Sequence, residues 1–156
     1  MTLTAVSDAG PLIHLAEIGS LELFAAFDVL LVPETVYEEV EVGGVPDGLS
    51  DLPYEFVETD ERQVEAEELD AGERAAIAVA EERGVVLLTD DLAAREAASD
   101  ANVEVHGSIG VIALGYGRGL LDRDEAASRM RALQRETSLF VTEAVVEHGI
   151  RMLDEQ

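Results

Sequence analysis

Short apolar runs separated by amphipathic stretches form the basic pattern of this chain. Runs at residues 3–6, 29–32 and 85–88 have the length of buried strands, and residues 54–57 and 103–105 predict two more strands. The stretches between them carry apolar residues three and four positions apart, as helices do. Strands that alternate with helices favour a parallel sheet covered on both faces. The sequence therefore predicts an α/β fold with three α/β/α layers around a mostly parallel central sheet.

Helix boundaries follow from proline, glycine and short polar residues. Pro11 suits the first turn of a helix, and Asp70 with Glu73 three residues later resembles a capping box. Gly84 is typical of a helix stop, and Ser108 is expected to cap the helix that follows it. The first predicted helix begins at Pro11. The other predicted helices span residues 21–27, 34–41, 71–83, 92–98, 109–116, 122–136 and 142–153. Residues 42–53 are predicted to form a loop, and we interpret residues 1–156 as a single domain.

The charge of the chain is far from balanced. Acidic residues number 34 against 10 basic ones, all of them arginine, which gives a formal net charge of −24. In molar salt the screening length falls to about 3 Å, and the resulting self-repulsion is suppressed. We interpret the composition as halophile-like, an adaptation to a salty cytoplasm, in preference to an acidic surface made for a basic partner. Most carboxylates then serve solvation, so an acidic motif needs evidence beyond its charge.

Several functional classes are excluded by residue types that the sequence lacks. Without cysteine there are no disulfides, no cysteine-bound zinc and no thiol nucleophile. Without lysine there is no P-loop, and His14, His106 and His148 are too scattered for a zinc centre or a catalytic triad. No apolar run approaches the roughly 20 residues that span a bilayer, and the start lacks the features of a signal peptide. The sequence thus predicts a cytoplasmic protein with no membrane partner.

Carboxylates follow two of the predicted strands. Asp8 comes just after the first strand, and Asp90 and Asp91 come just after the strand at 85–88. Ligands bind beyond the carboxyl ends of parallel strands, so these side chains are expected at the same edge of the sheet. Each aspartate suits equally well the ordinary role of capping the helix that follows it.

Two glutamates lie on the apolar side of predicted helices. Glu73 lies on the apolar stripe of its helix, one turn before Ile77, and Glu39 lies beside Val40. Glu38 shares the outward face of its helix, so the spacing favours Glu39 as the inward acid. A carboxylate in such a position is unfavourable unless a cation compensates it.

Asp8, Glu39, Glu73 and one of the pair Asp90 and Asp91 could therefore converge on a divalent ion. Ligation by oxygen alone favours Mg²⁺ or Mn²⁺ over zinc. Such ions catalyse cleavage of phosphodiesters by activating water and neutralising charge on the phosphate. A metal-dependent nuclease is the functional hypothesis, and chance convergence among 34 acidic residues competes with it.

Four ordered motifs resemble those of PIN domains, and in particular those of a PIN-like subgroup described as a domain of unknown function. The motifs are VSDAGPLI from Val6, VPETVYEEV from Val32, LDAGERAAIA from Leu69 and LLTDDLAAR from Leu87. The stretch VHGSIG from Val105 also fits, so the resemblance covers nearly the whole chain.

The resemblance implies an endoribonuclease that cleaves single-stranded RNA with Mg²⁺ or Mn²⁺. It implies that Asp8, Glu39, Glu73 and Asp91 are the catalytic, metal-binding acids, with Asp90 as the alternative for the fourth. Many relatives are toxins restrained by a small antitoxin, and many form homodimers, so both partners are expected here.

Two residues depart from the family pattern. Gly10 stands where many relatives carry Ser or Thr, and Glu73 replaces the Asp that is common in the wider family. The alternative is therefore a catalytically impaired PIN-like module that binds a partner or dimerises.

Basic residues that could meet RNA phosphates are few. Arg74, Arg95 and Arg118 are the candidates, although each also suits a structural or surface ion pair. We therefore expect metal-mediated contact with phosphate to dominate and the affinity for substrate to be weak.

Overall fold

Five parallel strands form the central sheet, in the order β3-β2-β1-β4-β5. The strands are β1 Thr4–Ser7, β2 Val29–Pro33, β3 Tyr54–Val57, β4 Val86–Leu88 and β5 Val105–His106. In register, Ala5 of β1 lies opposite Leu30 of β2 on one side and Val86 of β4 on the other. This is a computed structural model, and it describes residues 2–58 and 69–155. The fold is the predicted α/β class, and every strand pairing in the described residues is parallel.

Seven α-helices in the described residues connect and cover the strands. They are α1 Ala9–Glu17, α2 Glu34–Val42, α3 Ala71–Arg83, α4 Leu92–Asp100, α5 Ser108–Gly117, α6 Arg123–Glu136 and α7 Glu143–Asp154. The short helix expected at 21–27 is a 3₁₀ helix, Leu21–Ala26, and the expected loop at 42–53 contains another, Leu49–Asp51. The last strand was placed two residues too early, since β5 begins at Val105. No described helix has both the length and the apolar character needed to cross a membrane.

The third helix shows why these residues fold as they do. Asp70 caps α3 by accepting the N–H of Glu73 at 2.8 Å, and Gly84 ends it in the left-handed conformation at φ +65°. Between the caps, alanines such as Ala76 and Ala80 are fully buried. Small side chains let the helix axis approach strands β1, β2 and β4 closely.

Two capping predictions need correction. The reciprocal bond of a capping box is missing at Asp70, since the Oε2 atom of Glu73 accepts no hydrogen bond from the described residues. Gly107, and not Ser108, occupies the cap position of α5, and Ser108 is the first helical residue. The Ser108 hydroxyl donates instead to Asp90, which lies 18 residues earlier in the sequence.

The strand order creates a crevice between β1 and β4. From β1 the chain moves to β2 and β3 on one side of the sheet, and it returns to β4 on the other side. Loops that leave adjacent strands in opposite directions open a gap at their carboxyl ends, which is where ligands bind in such sheets. Asp8 follows β1 and Asp90 follows β4 at this gap.

Candidate functional site

An acidic pocket of about 250 Å³ lies at the carboxyl ends of β1 and β4. It brings together all five acidic residues singled out in the sequence and adds a sixth, Asp70. The residues that line it are Asp8, Ala9, Gly10, His14, Glu39, Asp70, Glu73, Asp90, Asp91 and Leu139. No arginine of the described residues contributes to this lining, so the carboxylates predominate in it.

Asp8 is both a helix cap and a wall of the pocket. Its Oδ1 atom accepts the N–H of Ala9 at 2.8 Å, and its Oδ2 atom accepts the hydroxyl of Thr89 at 2.8 Å. The side chain is buried, and this burial raises its pKa to about 6 against the lowering effect of the two hydrogen bonds. The two interpretations of Asp8 from sequence, cap and site, thus describe the same carboxylate.

Glu39 extends from α2 towards the start of α3. Its Oε1 atom accepts the N–H of Gly72 at 2.9 Å, which fixes the direction of the carboxylate. Burial raises the pKa of Glu39 to about 7, the Gly72 bond opposes this, and the charges of Asp70 and Asp8 add to it. Glu38 is exposed, so the periodicity identified the inward acid correctly.

Glu73 is the least satisfied acid of the pocket. Its Oε2 atom is buried and accepts no hydrogen bond from the described residues. Burial, and after it the adjacent Asp70 side chain, raises the pKa of Glu73 to about 9. A carboxyl group in this position is protonated at neutral pH unless a cation joins it.

Asp90 and Asp91 have different environments although they are neighbours. Both oxygens of Asp90 are engaged, Oδ1 by the N–H of Ser108 at 2.6 Å, and Oδ2 by the Ser108 hydroxyl at 2.5 Å and the His14 Nδ1 atom at 2.8 Å. Asp91 caps α4 with its Oδ2 atom, which accepts the N–H of Ala94 at 2.9 Å. No described residue hydrogen-bonds its other oxygen. The geometry therefore favours Asp91 over Asp90 as the fourth acid available to a ligand.

Residues 4–155 match the model of a protein family described as PIN domain. The chain belongs to the PIN domain family. A solved structure, a PilT N-terminus domain protein from the hyperthermophilic archaeon Sulfolobus solfataricus P2, shares the fold of this PIN domain with a TM-score of 0.59. The two are 18% identical, and the match covers 70% of this chain and 90% of that one. A search of curated proteins matched none to this chain.

PIN domains are generally nucleases and typically use divalent metal ions. In residues 2–58 and 69–155 of this PIN domain, no group of three or more His, Asp or Glu side chains is already arranged as a metal cluster. The donors nevertheless fit such an ion, because six carboxylates line the pocket and Glu73 holds a buried oxygen that accepts no hydrogen bond from the described residues. A divalent cation would also relieve the repulsion that contributes to the raised pKa values of Asp8, Glu39 and Glu73.

From the sequence of this PIN domain, Asp70 is predicted only as a helix cap. Asp70 also lines the pocket and acts electrostatically on Asp8, Glu39 and Glu73. The signal was present in the sequence, since Asp70 caps the helix that carries Glu73. A cap side chain lies at the same helix end as residue N3.

His14 was also set aside in the sequence, because the three histidines are scattered along the chain. It pairs with Asp90 across 76 positions of sequence, with its Nδ1 atom 2.8 Å from Asp90 Oδ2, and it lines the acidic pocket. His14 of α1 and Ser108 of α5 both hydrogen-bond to Asp90, so Asp90 links these two helices to the end of β4.

The candidate substrate-binding arginines lie outside the acidic pocket. Arg95 lines a neighbouring cavity beside Gly107, and Arg118 is exposed at the end of α5. Arg74 is half-buried in the first turn of α3 and is absent from the pocket lining.

Replacing Asp90 by alanine is expected to destabilise this PIN domain more than it weakens metal binding. The change leaves the N–H and hydroxyl of Ser108 without an acceptor, and loss of such charge-assisted bonds corresponds to about 2 kcal/mol. Thermal unfolding would then occur about 6 °C below wild type. Asp91→Ala is the matched control, since it loses one cap bond of about 1 kcal/mol. Calorimetry with and without Mn²⁺ separates the two residues, and loss of the Mn²⁺ response in the Asp90 variant alone would reverse the assignment.

Gly72→Ala is expected to move Glu39 while leaving the fold in place. A Cβ atom at Gly72 would lie 2.5 Å from Oε1 of Glu39, so the flexible end of that side chain must swing away. The Gly72 hydrogen bond to Glu39 is then lost, and we expect Mn²⁺ affinity to fall about tenfold, as for other displaced ligands. Titration calorimetry with Mn²⁺ measures this. Gly43→Ala is the control, because a Cβ there meets only a backbone oxygen at 3.9 Å, and an equal loss in both variants would contradict the expectation.

Proposed function

We propose that this PIN domain is an endoribonuclease that hydrolyses single-stranded RNA in the acidic pocket with Mg²⁺ or Mn²⁺. The observation that supports this best is the convergence of Asp8, Glu39, Glu73 and Asp91 from four separate segments on the lining of the same pocket. The pocket lies at the switch point of the sheet, where ligands bind in folds of this kind.

The carboxylates would hold a divalent ion and form the wall of the pocket around it. Asp8 and Asp91 from the strand ends, with Glu39 and Glu73 from the helices, would be the ligands. A divalent ion held there would supply activated water and neutralise charge on the scissile phosphate. The Thr89 hydroxyl orients Asp8, and the Gly72 N–H orients Glu39.

Protons would compete with the ion for these ligands. The raised pKa values of about 6 for Asp8 and about 7 for Glu39 mean that both groups lose their protons as the pH rises towards 8. Metal binding requires the deprotonated form. Glu73, whose pKa is about 9, still holds its proton at that point, so metal affinity and cleavage are expected to increase together from about pH 6 to about pH 9.

The biological setting is proposed from the motif resemblance. A small antitoxin as partner, a toxin role and a homodimer follow from the relatives that share these motifs. A cytoplasmic location agrees with the acidic composition, which suits a salt-rich interior.

The alternative of an impaired partner-binding module depends on Gly10. A Cβ atom at this position would meet Asp90 Cβ at 3.5 Å and His14 Cε1 at 3.6 Å, which are ordinary contacts. Crowding therefore does not require glycine, and its presence leaves the four acids in place. This observation gives the impaired module no advantage over the nuclease.

The experiment that tests the proposal is incubation with defined single-stranded RNAs in molar KCl, with Mn²⁺ or with chelator. Cleavage products that appear with Mn²⁺ and disappear with chelator are expected. A double-stranded RNA of the same sequence is the control for substrate form. Cleavage that persists in chelator, or that affects both RNAs equally, would count against a metal-dependent nuclease for single strands.

A further inference from the structure

A second cavity, of about 700 Å³, lies beside the acidic pocket and shares Asp90 and Leu139 with it. We call it the apolar groove. Its apolar lining comes from α4, α5, α7 and the segment before α7. The large apolar side chains that line it are Leu92, Ile109, Leu139, Phe140, Val145 and Met152.

Folding leaves three apolar side chains of the groove largely exposed to solvent. Phe140 is 91% exposed, Leu92 is 70% exposed and Val145 is 50% exposed. In so acidic a chain, a contiguous group of exposed apolar side chains marks a surface that binds something. Arg95 and His148 line the same groove and offer hydrogen-bond donors next to the apolar surface. The combination suits a flat ligand with an apolar face and polar edges.

We propose that the apolar groove binds a nucleobase of the RNA, in the nucleotide next to the phosphate that enters the acidic pocket. This inference rests on the proposed ribonuclease function. Continuity supports it, because Asp90 and Leu139 line both cavities, and a strand whose phosphate lay in the acidic pocket would extend past them into the groove. The Phe140 ring provides a face on which a base can stack, and Arg95 and His148 can bond to its edge.

The charge of the chain favours stacking as the source of RNA affinity. At a net charge of −24, the protein repels a polyanion at long range, and molar salt removes whatever attraction basic residues supply. Stacking on an aromatic ring does not depend on counterions in this way. The apolar groove would therefore supply affinity under the conditions to which the composition is suited.

The test compares wild type, Phe140→Ala and the matched control Phe56→Ala in about 2 M KCl, where interactions between exposed charges are almost fully screened. Phe56 is also an exposed aromatic, at 54%, and it lines neither cavity. Each protein is assayed with Mn²⁺ on a short RNA and on two altered forms of that RNA. One form lacks the base before the cleaved bond, and the other lacks the base after it. We expect Phe140→Ala and the missing base each to lower kcat/KM about tenfold, with little further loss when they are combined. Equal cleavage by Phe140→Ala and wild type, or full additivity of the two losses, would overturn the proposal.

A second measurement separates failure of the groove from failure of the nuclease. RNA that carries 5-iodouridine is irradiated with the Asp8→Asn variant, and the crosslinked peptide is identified by mass spectrometry. Crosslinks in the peptide that contains Phe140 support the groove even where no cleavage is seen. Crosslinks elsewhere overturn it even where cleavage is robust. If Phe140→Ala instead converts a dimer into a monomer in sedimentation, the groove is an interface between two copies and the proposal is wrong.

Discussion

Asp8→Asn is expected to lower Mn²⁺-dependent RNA cleavage by about a hundredfold or more while leaving the fold intact. The amide oxygen of asparagine can still accept the N–H of Ala9, so the cap of α1 is kept. The variant loses the negative charge and the second oxygen that face the pocket. The measurement is kcat/KM for a defined single-stranded RNA, together with the rise in unfolding temperature on addition of Mn²⁺.

Asp122→Asn is the matched control for this variant. Asp122 caps α6 as Asp8 caps α1, and it lines neither the acidic pocket nor the apolar groove. The same chemical change there should leave cleavage and the Mn²⁺ response unaltered. Cleavage retained by Asp8→Asn would show that the activity belongs to another site or to a contaminant.

The second large effect is expected from Glu73→Gln, which should stabilise the protein without metal and inactivate it with metal. The folded-state pKa of Glu73 is raised to about 9, from 4.5 for the free group. Between these values the folded chain holds a proton that the unfolded chain releases, so stability falls as the pH rises. Glutamine is neutral at every pH and escapes this loss. Cleavage by the variant should fall about a hundredfold, since a ligand is missing.

Calorimetry over a range of pH tests the stability part of this expectation. At pH 8 in chelator, we expect the variant to unfold about 3 °C above wild type, equivalent to about 1 kcal/mol after allowing for solvent screening. Below pH 4 the two proteins should coincide, because the wild-type group is then protonated in both states. Mn²⁺ should reverse the order at pH 8 by stabilising wild type alone.

Glu81→Gln controls for the general effect of removing a negative charge from so acidic a chain. Glu81 is exposed on the same helix, α3. Stabilisation of equal size in both variants would mean that net charge, and not the pocket, is responsible.

Local patterns predicted the parts of the site that depend on one segment at a time. Asp8 and Asp91 follow strands, and strand ends could be recognised from apolar runs. Glu39 and Glu73 were identified because a helix has a fixed period, which separates an inward glutamate from an outward one. These predictions needed no knowledge of which elements pack together.

Features that depend on the approach of distant segments were missed. Serine is a residue type that often caps helices, so Ser108 was expected to be a cap. Its N–H and hydroxyl instead donate to Asp90, a contact that no local sequence rule predicts. The pairing of His14 with Asp90 depends on the packing of α1 against the end of β4. Gly72 reveals its role only when Glu39 is brought against it, with no room for a Cβ atom.

Three of the pocket acids, Asp8, Asp70 and Asp91, each cap a different helix. The amino ends of α1, α3 and α4 are thus directed at the same small volume. A helix start carries a partial positive charge of about half a unit, which favours anions. In a chain without lysine, these backbone dipoles supply fixed partial positive charge beside the pocket, and they do not titrate. The same arrangement ties chemistry to folding, because losing any of the three aspartates loosens a helix as well as the pocket.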